Sequence, residues 1–523
     1  MVCADPLPPF GMNAEALSPV AYPCCSDLHQ APVARMTRAC LALLIATAFF
    51  TPLSSTLAYL SLAGLLICTV ADTALRGSWR DDLKLLRRHP MVLATLALLA
   101  WVALSTFWSA APARAAWSQW ARYLPMLIVP IAILVLNRPG VSGQAWVRVW
   151  VAFGAAMVLT VLLSYGSTVW PFEVHWPVGP ENPAVFKHYI IQGVFSSLLV
   201  AGCVAGLVRL KQLGSGEAAS LPRCKFHEAT STRTPSARSA PQPLESGPIA
   251  EHSASLTMAL LLIAVAAAWS ILSLLPGKTG LLALVVALLP LPFCMGSRRV
   301  RSVAAAIVVA GVAAVALIPG AARDQTLSTL KTLAEPATWS RVSPEGILDL
   351  PDRQASTLLR AKYLSVSASM IADHPLLGVG ARSYQREFCA RAGQAWCDLA
   401  QANSAQPHNQ LVLFLDEQGL IGGLLFVLWC AAPLMALRQS GARLSRPGEH
   451  SESASARVDP NFKMSPEHRY LLVASIGVFV VHSMLDSTLH LNTEGLMYPL
   501  LLAVLAARMV ASGMRQRIVP AGG

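Results

Sequence analysis

An all-α, polytopic membrane protein is the fold class this sequence predicts, with about twelve spans and one large loop carrying amphipathic helices of its own. Three observations predict it. The 523 residues are 54% hydrophobic and only 13% charged, where soluble domains carry about 25% charge. Mean hydropathy is +0.52. Apolar runs of span length recur along the chain, and the cations between them alternate in density. The formal net charge of +12 does not point to nucleic acid, because most Lys and Arg flank apolar runs instead of forming one patch.

Residues 1–38 contain Pro, Ala and Cys but no continuous apolar core. They are therefore not a cleavable signal peptide and read as a cytoplasmic extension, with the start at Met1 or at Met36. Spans follow near 39–54, 57–73, 90–107, 118–136, 145–165, 185–208, 256–275, 279–296 and 301–320, then 409–437, 469–488 and 493–511. Thr51-Pro52 and Ser54-Ser55 divide the first long run into two. The chain thus divides into nine helices over 39–320, a loop over 321–407, three helices over 408–511 and a tail, 512–523.

Cation placement orients these spans. Arg76, Arg80, Lys84, Arg87, Arg88, Arg138, Arg148, Arg209, Lys211, Arg298, Arg299 and Arg438 fall in alternate connections together with both termini. The opposite connections hold few cations near the spans, chiefly Arg114, Arg122, Lys187 and Lys278. The positive-inside rule then puts both termini in the cytoplasm. Residues 212–254, rich in Ser, Pro and Ala without periodicity, read as a disordered cytoplasmic loop. Residues 321–407 fall outside. Within them Leu359, Tyr363, Val366 and Met370 form a helical stripe, Asp373-His374-Pro375 ends that helix, and Gly378-Val379-Gly380 turns the chain into a second helix, 381–391. A loop of this length with helices of its own is usually functional.

The ionisable residues in or beside the spans gather at the same outer level. Arg122 borders the fourth span and Lys278 opens the eighth. His408, Asp416 and Glu417 line the tenth, His482 and Asp486 close the eleventh, and His490 and Glu494 start the twelfth. Charge inside a bilayer is costly, so this clustering reads as a polar chamber beneath the 321–407 loop. Bland readings stand beside it. Arg122 reaches the interface equally well by snorkelling, His482 and Asp486 at i and i+4 make a structural pair, and Gly419-x-x-Gly422 serves close helix packing. Of the eleven cysteines, Cys389 and Cys397 are the two in the outside loop. The oxidising compartment favours a bridge between them over two free thiols. No His-Glu-x-x-His, Walker loop or Cys-x-x-Cys appears, so neither a metal nor another cofactor is expected.

The stretch Pro407-His408-Asn409, nine residues, Gly419, two residues, Gly422 resembles the signature of the O-antigen ligase family, bacterial membrane glycosyltransferases related to O-antigen polymerases. Arg360, fifteen residues ahead of the Pro375-x-x-Gly378-x-Gly380 turn, is similar to that family's outside-loop pattern. Leu104-Ser105-Thr106-Phe107-Trp108-Ser109 resembles a further family feature. Lys278-Thr279-Gly280 stands where relatives show Ser-Arg, a point charge in place of a bidentate fork.

The resemblance implies transfer of a glycan from undecaprenyl diphosphate to lipid A-core oligosaccharide at the periplasmic face of the inner membrane, with inversion and without metal or cofactor. Membrane lipids surround the reaction, and nucleic acid has no part in it. In that reading His408 is the general base. Arg360, with Lys278, Arg382 and Arg122, binds the diphosphate, and Asn409, Asp416, Glu417, Gly419 and Gly422 support the site. O-antigen polymerases and protein O-oligosaccharyltransferases use the same donor and remain alternatives. A lipid-linked sugar flippase is the alternative outside enzymes, although no internal repeat supports it.

Overall fold

The computed structural model describes residues 25–169, 184–214, 249–275, 278–294, 301–302, 305–306, 309, 343–348, 352–402, 406–444, 465–489 and 493–507. Among these residues every regular element is a helix. In chain order they are α1 (Cys25–Leu53), α2 (Ser55–Arg76), α3 (Trp79–Arg88), α4 (Pro90–Ser105), α5 (Ala113–Tyr123), α6 (Ile128–Leu136), α7 (Ala145–Val169), α8 (Tyr189–Gly214) and α9 (Ile249–Trp269). There follow α10 (Lys278–Leu288), α11 (Leu291–Cys294), α12 (Pro344–Leu348), α13 (Asp352–Asp373), α14 (Tyr384–Ala392), α15 (Gln394–Ala402), α16 (Gln410–Leu444), α17 (Pro466–Leu485) and α18 (Glu494–Ala506).

Nine helical stretches among the described residues are long and apolar enough to cross a membrane. They coincide with nine of the runs read from the sequence. The runs near 279–296 and 493–511 appear as the shorter apolar helices Thr279–Cys294 and Glu494–Ala506. The run at 301–320 lies almost wholly outside the described residues, as does the 212–254 insertion except at its edges, where α8 continues to Gly214 and α9 begins at Ile249. The protein is a multi-pass membrane protein, all-helical over the described residues. The break between the first two spans falls at Ser54, whose hydroxyl caps α2 by accepting the Leu57 N–H.

Pairing of the spans is local and specific. Trp429 in α16 donates its indole N–H to Thr95 in α4, 2.9 Å away. Gly193 in α8 and Gly280 in α10 bring their backbones together so closely that a Cβ on Gly280 would stand 3.0 Å from the Gly193 Cα. The Gly280 carbonyl accepts from Ser197, 3.0 Å away. At one end of the bundle Arg138 is buried among Asp72 at 2.8 Å and Asp82 at 2.6 Å. Arg76 also pairs with Asp72, and Thr37 donates to it. Buried charge is tolerated when paired and hydrogen-bonded in this way. Nearby the last carbonyls of α18 meet side chains, His468 at Leu505, His89 at Ala506 and Asn137 at Ala507. These contacts supply partners that a helix C-terminus lacks.

At the other end the starts of α2, α8 and α18 are tied together. Lys187 donates to Ser55 and to Thr493, each at 2.8 Å. The helices of the 321–407 segment sit at this end as well. The predicted stripe of α13, Leu359, Tyr363, Val366 and Met370, is buried and packs against Tyr384 and Phe388 of α14, Ala400 of α15 and Leu413 of α16. The second loop helix begins at Tyr384, three residues later than read from the sequence, and a third, α15, follows it. Cys389 and Cys397 join α14 to α15 through a disulfide, with Cα atoms 4.7 Å apart.

Candidate active site

Three stretches singled out in the sequence are one structural unit. α16 is not continuous: Gly419 takes φ 67° and ψ −168°, which breaks the helix between residues 418 and 420. The carbonyls of Asp416 and Glu417 instead accept the N–H groups of Val379 and Gly380, each at 2.8 Å, and Leu420 N–H donates to the Pro375 carbonyl at 2.8 Å. The Gly378-Val379-Gly380 turn is thereby bonded along its backbone to the broken helix. The third stretch closes the unit. Trp108 donates its indole N–H to the Leu377 carbonyl and Trp101 to that of Gln418, both at 3.1 Å. Ser109 donates to Ala381 at 2.6 Å, and Ala110 N–H donates to Ser383 at 2.9 Å.

Glycine is required at the crossing. A Cβ on Gly380, whose φ is 91°, would meet the backbone of Ser109, and one on Gly419 would meet that of Leu376 and Leu377. Gly422 is different: its approach is to the Gln418 side chain just before the break. The Gly-x-x-Gly pattern is therefore the break itself and its close passage.

Asp416 and Glu417 serve this junction and do not open into a chamber. Asp416 is buried and accepts a hydrogen bond from Ser367 of α13 at 2.8 Å. Glu417, also buried, faces the backbone N–H groups of Arg382 and Tyr384 and the Arg382 charge. Arg382 and His408 are the two non-glycine residues with positive φ among those described, at 65° and 49°. An L-residue held there costs about 1–2 kcal/mol, and such strain concentrates where side-chain direction matters.

His408 precedes α16 and is 21% exposed. Its Nδ1 lies 3.4 Å from the Asp486 carboxylate, just past the end of α17. Asn409 fixes this junction: its side-chain oxygen caps α16 by accepting Val412 N–H at 3.1 Å, and its amide donates to the Met484 carbonyl at 3.1 Å. Gln410, which carries no charge to mark it in the sequence, accepts from Leu489 N–H at 2.8 Å. The Tyr363 ring stands 6.0 Å from that of His408, centroid to centroid. Arg360 is one turn before Tyr363 on α13, half-buried.

Asp486 is the electrostatic centre of this end. Burial alone raises its carboxyl, but the His408 hydrogen bond and charge, with the charge of His482, outweigh that and hold it at about 2. His188 feels the same carboxylate, which opposes the lowering that burial imposes on its imidazole. Burial likewise lowers the Lys187 ammonium against the pull of buried Glu494. His482 does not bond Asp486 by its side chain; its Nδ1 meets the Tyr498 hydroxyl at 2.8 Å. Of the remaining predicted residues, Arg122 is exposed at the end of α5, next to buried Tyr123. Lys278 begins α10 just after a π-helical turn, Ser270–Leu274, and its side chain lies outside the described residues, as does His490. Among the described residues no group of three His, Cys, Asp or Glu side chains is disposed to hold a metal ion.

No curated protein matches the chain. The protein is a multi-pass membrane protein, and its residues 255–427, which take in Arg360, the Gly-Val-Gly turn and the broken helix from His408 through Gly422, match the O-antigen ligase family model.

Proposed function

We propose that the protein transfers a glycan from undecaprenyl diphosphate to lipid A-core oligosaccharide at the periplasmic face of the inner membrane. The observation that carries this reading is the meeting of His408 with Asp486 on one side and with Tyr363, one turn from Arg360, on the other. His408 and the helix that carries Arg360 come from stretches of sequence nearly fifty residues apart.

In this reaction the acceptor hydroxyl gives its proton to the His408 imidazole as its oxygen attacks the anomeric carbon. The bond from that carbon to the diphosphate oxygen breaks on the opposite face, inverting the configuration, and its electron pair leaves with undecaprenyl diphosphate. Arg360, with Lys278, Arg382 and Arg122 as further cations, stabilises the charge that develops on the diphosphate. Asp486, ionised beside His408, balances the imidazolium.

Purified protein supplied with lipid-linked glycan and lipid A-core tests this. Loss of a general base costs about 10²–10⁴-fold in rate, so His408→Ala abolishes measurable transfer while donor binding persists. Arg360→Ala weakens donor binding or leaving-group departure, and Arg360→Lys restores it in part, because the planar fork is missing. Near wild-type transfer by folded His408→Ala overturns the base assignment. Extension of the lipid-linked glycan without capping of lipid A-core assigns polymerase activity instead.

A further inference from the structure

The Pro375–Gly378 turn carries two leucines that the reaction does not use. Leu376 is 61% and Leu377 47% exposed, on a segment flanked by Asp373, His374 and Arg382. An exposed pair of leucines in a polar loop calls for a covering partner. Backbone hydrogen bonds place the turn level with residues 416–420 of α16. Beyond the break, Leu420 to Arg438 rise about 28 Å at 1.5 Å per residue, close to the roughly 30 Å of bilayer hydrocarbon. Residue 420 therefore stands at the hydrocarbon edge, and the two leucines stand there with it.

Their surroundings continue the lipid-facing surface. Leu420, Ile421 and Leu424 are exposed on α16, and Leu104 and Phe107 at the end of neighbouring α4. Trp101 and Trp108, whose rings lie 5.7 Å apart, hold the turn by their indole N–H groups, and tryptophan favours the interfacial level. The turn's polar backbone is suited to such a place. The Pro375, Leu377 and Val379 carbonyls and the Gly378, Val379 and Gly380 N–H groups have partners, which lowers the cost of bringing this part of the backbone to lipid.

We propose that the Leu376–Leu377 turn is embedded in the leaflet on the site's side of the membrane, with the acyl chains of bilayer lipid as its occupant. The loop is thereby anchored in the bilayer at a fixed height and carries α13 with it. This inference is independent of the reaction catalysed.

The test uses the full chain in lipid nanodiscs with a fluorescent amino acid in place of Leu376. Leu424 labelled in the same way is the lipid-facing control, and exposed Asp398 of α15 the water-facing one. Lipid brominated near the head of its acyl chains is expected to quench residue 376 as strongly as 424, while aqueous iodide quenches only 398. Iodide quenching at 376 equal to that at 398 overturns the proposal. So does protection from both quenchers, which assigns the turn to a protein contact such as a second copy of the chain. A label at Leu377 gives an independent reading should the first variant fail to fold.

Discussion

His408 and Asp486, 78 residues apart in sequence, meet at 3.4 Å where the start of α16 passes the end of α17. The Asp486 carboxyl, held at about 2 in the folded protein, titrates near 3.9 in an unfolded chain. A depressed carboxyl stabilises the fold above its unfolded value, and that stability is lost as pH falls from about 4 toward 2. Asp486→Asn is expected to melt below the wild type at neutral pH, with the two curves converging through this acid window. Thermal unfolding followed across a pH series checks it. If His408 is the base of the proposed reaction, transfer by Asp486→Asn is expected to fall as well, since the carboxylate beside that imidazole is lost.

Gly419→Ala is the severe change in the broken helix. Its φ and ψ belong to a region that is essentially glycine's own, and occupying it costs other residues about 1–3 kcal/mol before any clash. The added Cβ also meets the backbone of Leu376 and Leu377. The variant is expected to melt at a lower temperature and to expose residues 352–402 to protease. Unchanged proteolysis of that segment counts against the role given to the break.

Ser367→Ala removes the hydrogen bond to the buried Asp416 carboxylate. The other oxygen of that carboxylate already has no partner. Leaving a buried acceptor unsatisfied costs about 1–3 kcal/mol. A lowered melting temperature is therefore expected although the substitution itself removes only a hydroxyl. Donor binding, measured at a temperature where the variant is folded, should remain.

The Cys389–Cys397 bridge closes a short loop, for which the chain-entropy estimate is about 2–3 kcal/mol. Replacing both cysteines by serine is expected to lower the melting temperature. Reductant should do the same to the wild type and nothing further to the variant. Peptide mapping under non-reducing conditions checks the bond directly.

Most of the spans were legible because a bilayer-crossing helix must be apolar over its whole length, and eleven such runs reappear as apolar helices. The stripe on α13 was legible for a similar reason: Leu359, Tyr363, Val366 and Met370 have one face to bury. The break at Gly419 was not, because its cause lies some forty residues upstream in the Pro375–Gly380 turn, and the local pattern suits helix packing equally well. Asp416 and Glu417 read as chamber carboxylates, since the sequence does not show that Ser367 and the backbone of Arg382 and Tyr384 reach them. Asp486 read as the i+4 partner of His482, but α17 ends at Leu485 and its carboxylate meets His408 instead. Gln410 went unmarked as a neutral residue; its place directly after His408-Asn409 was the one available sign.

The Gly419 break also bears on how substrates exchange. Undocking the Gly378–Gly380 turn would strip the carbonyls of buried Asp416 and Glu417 of their donors. The Gly378–Gly380 turn is thus part of the protein's frame. In the proposed reaction, substrate exchange then proceeds with the Gly378–Gly380 turn still bonded to α16.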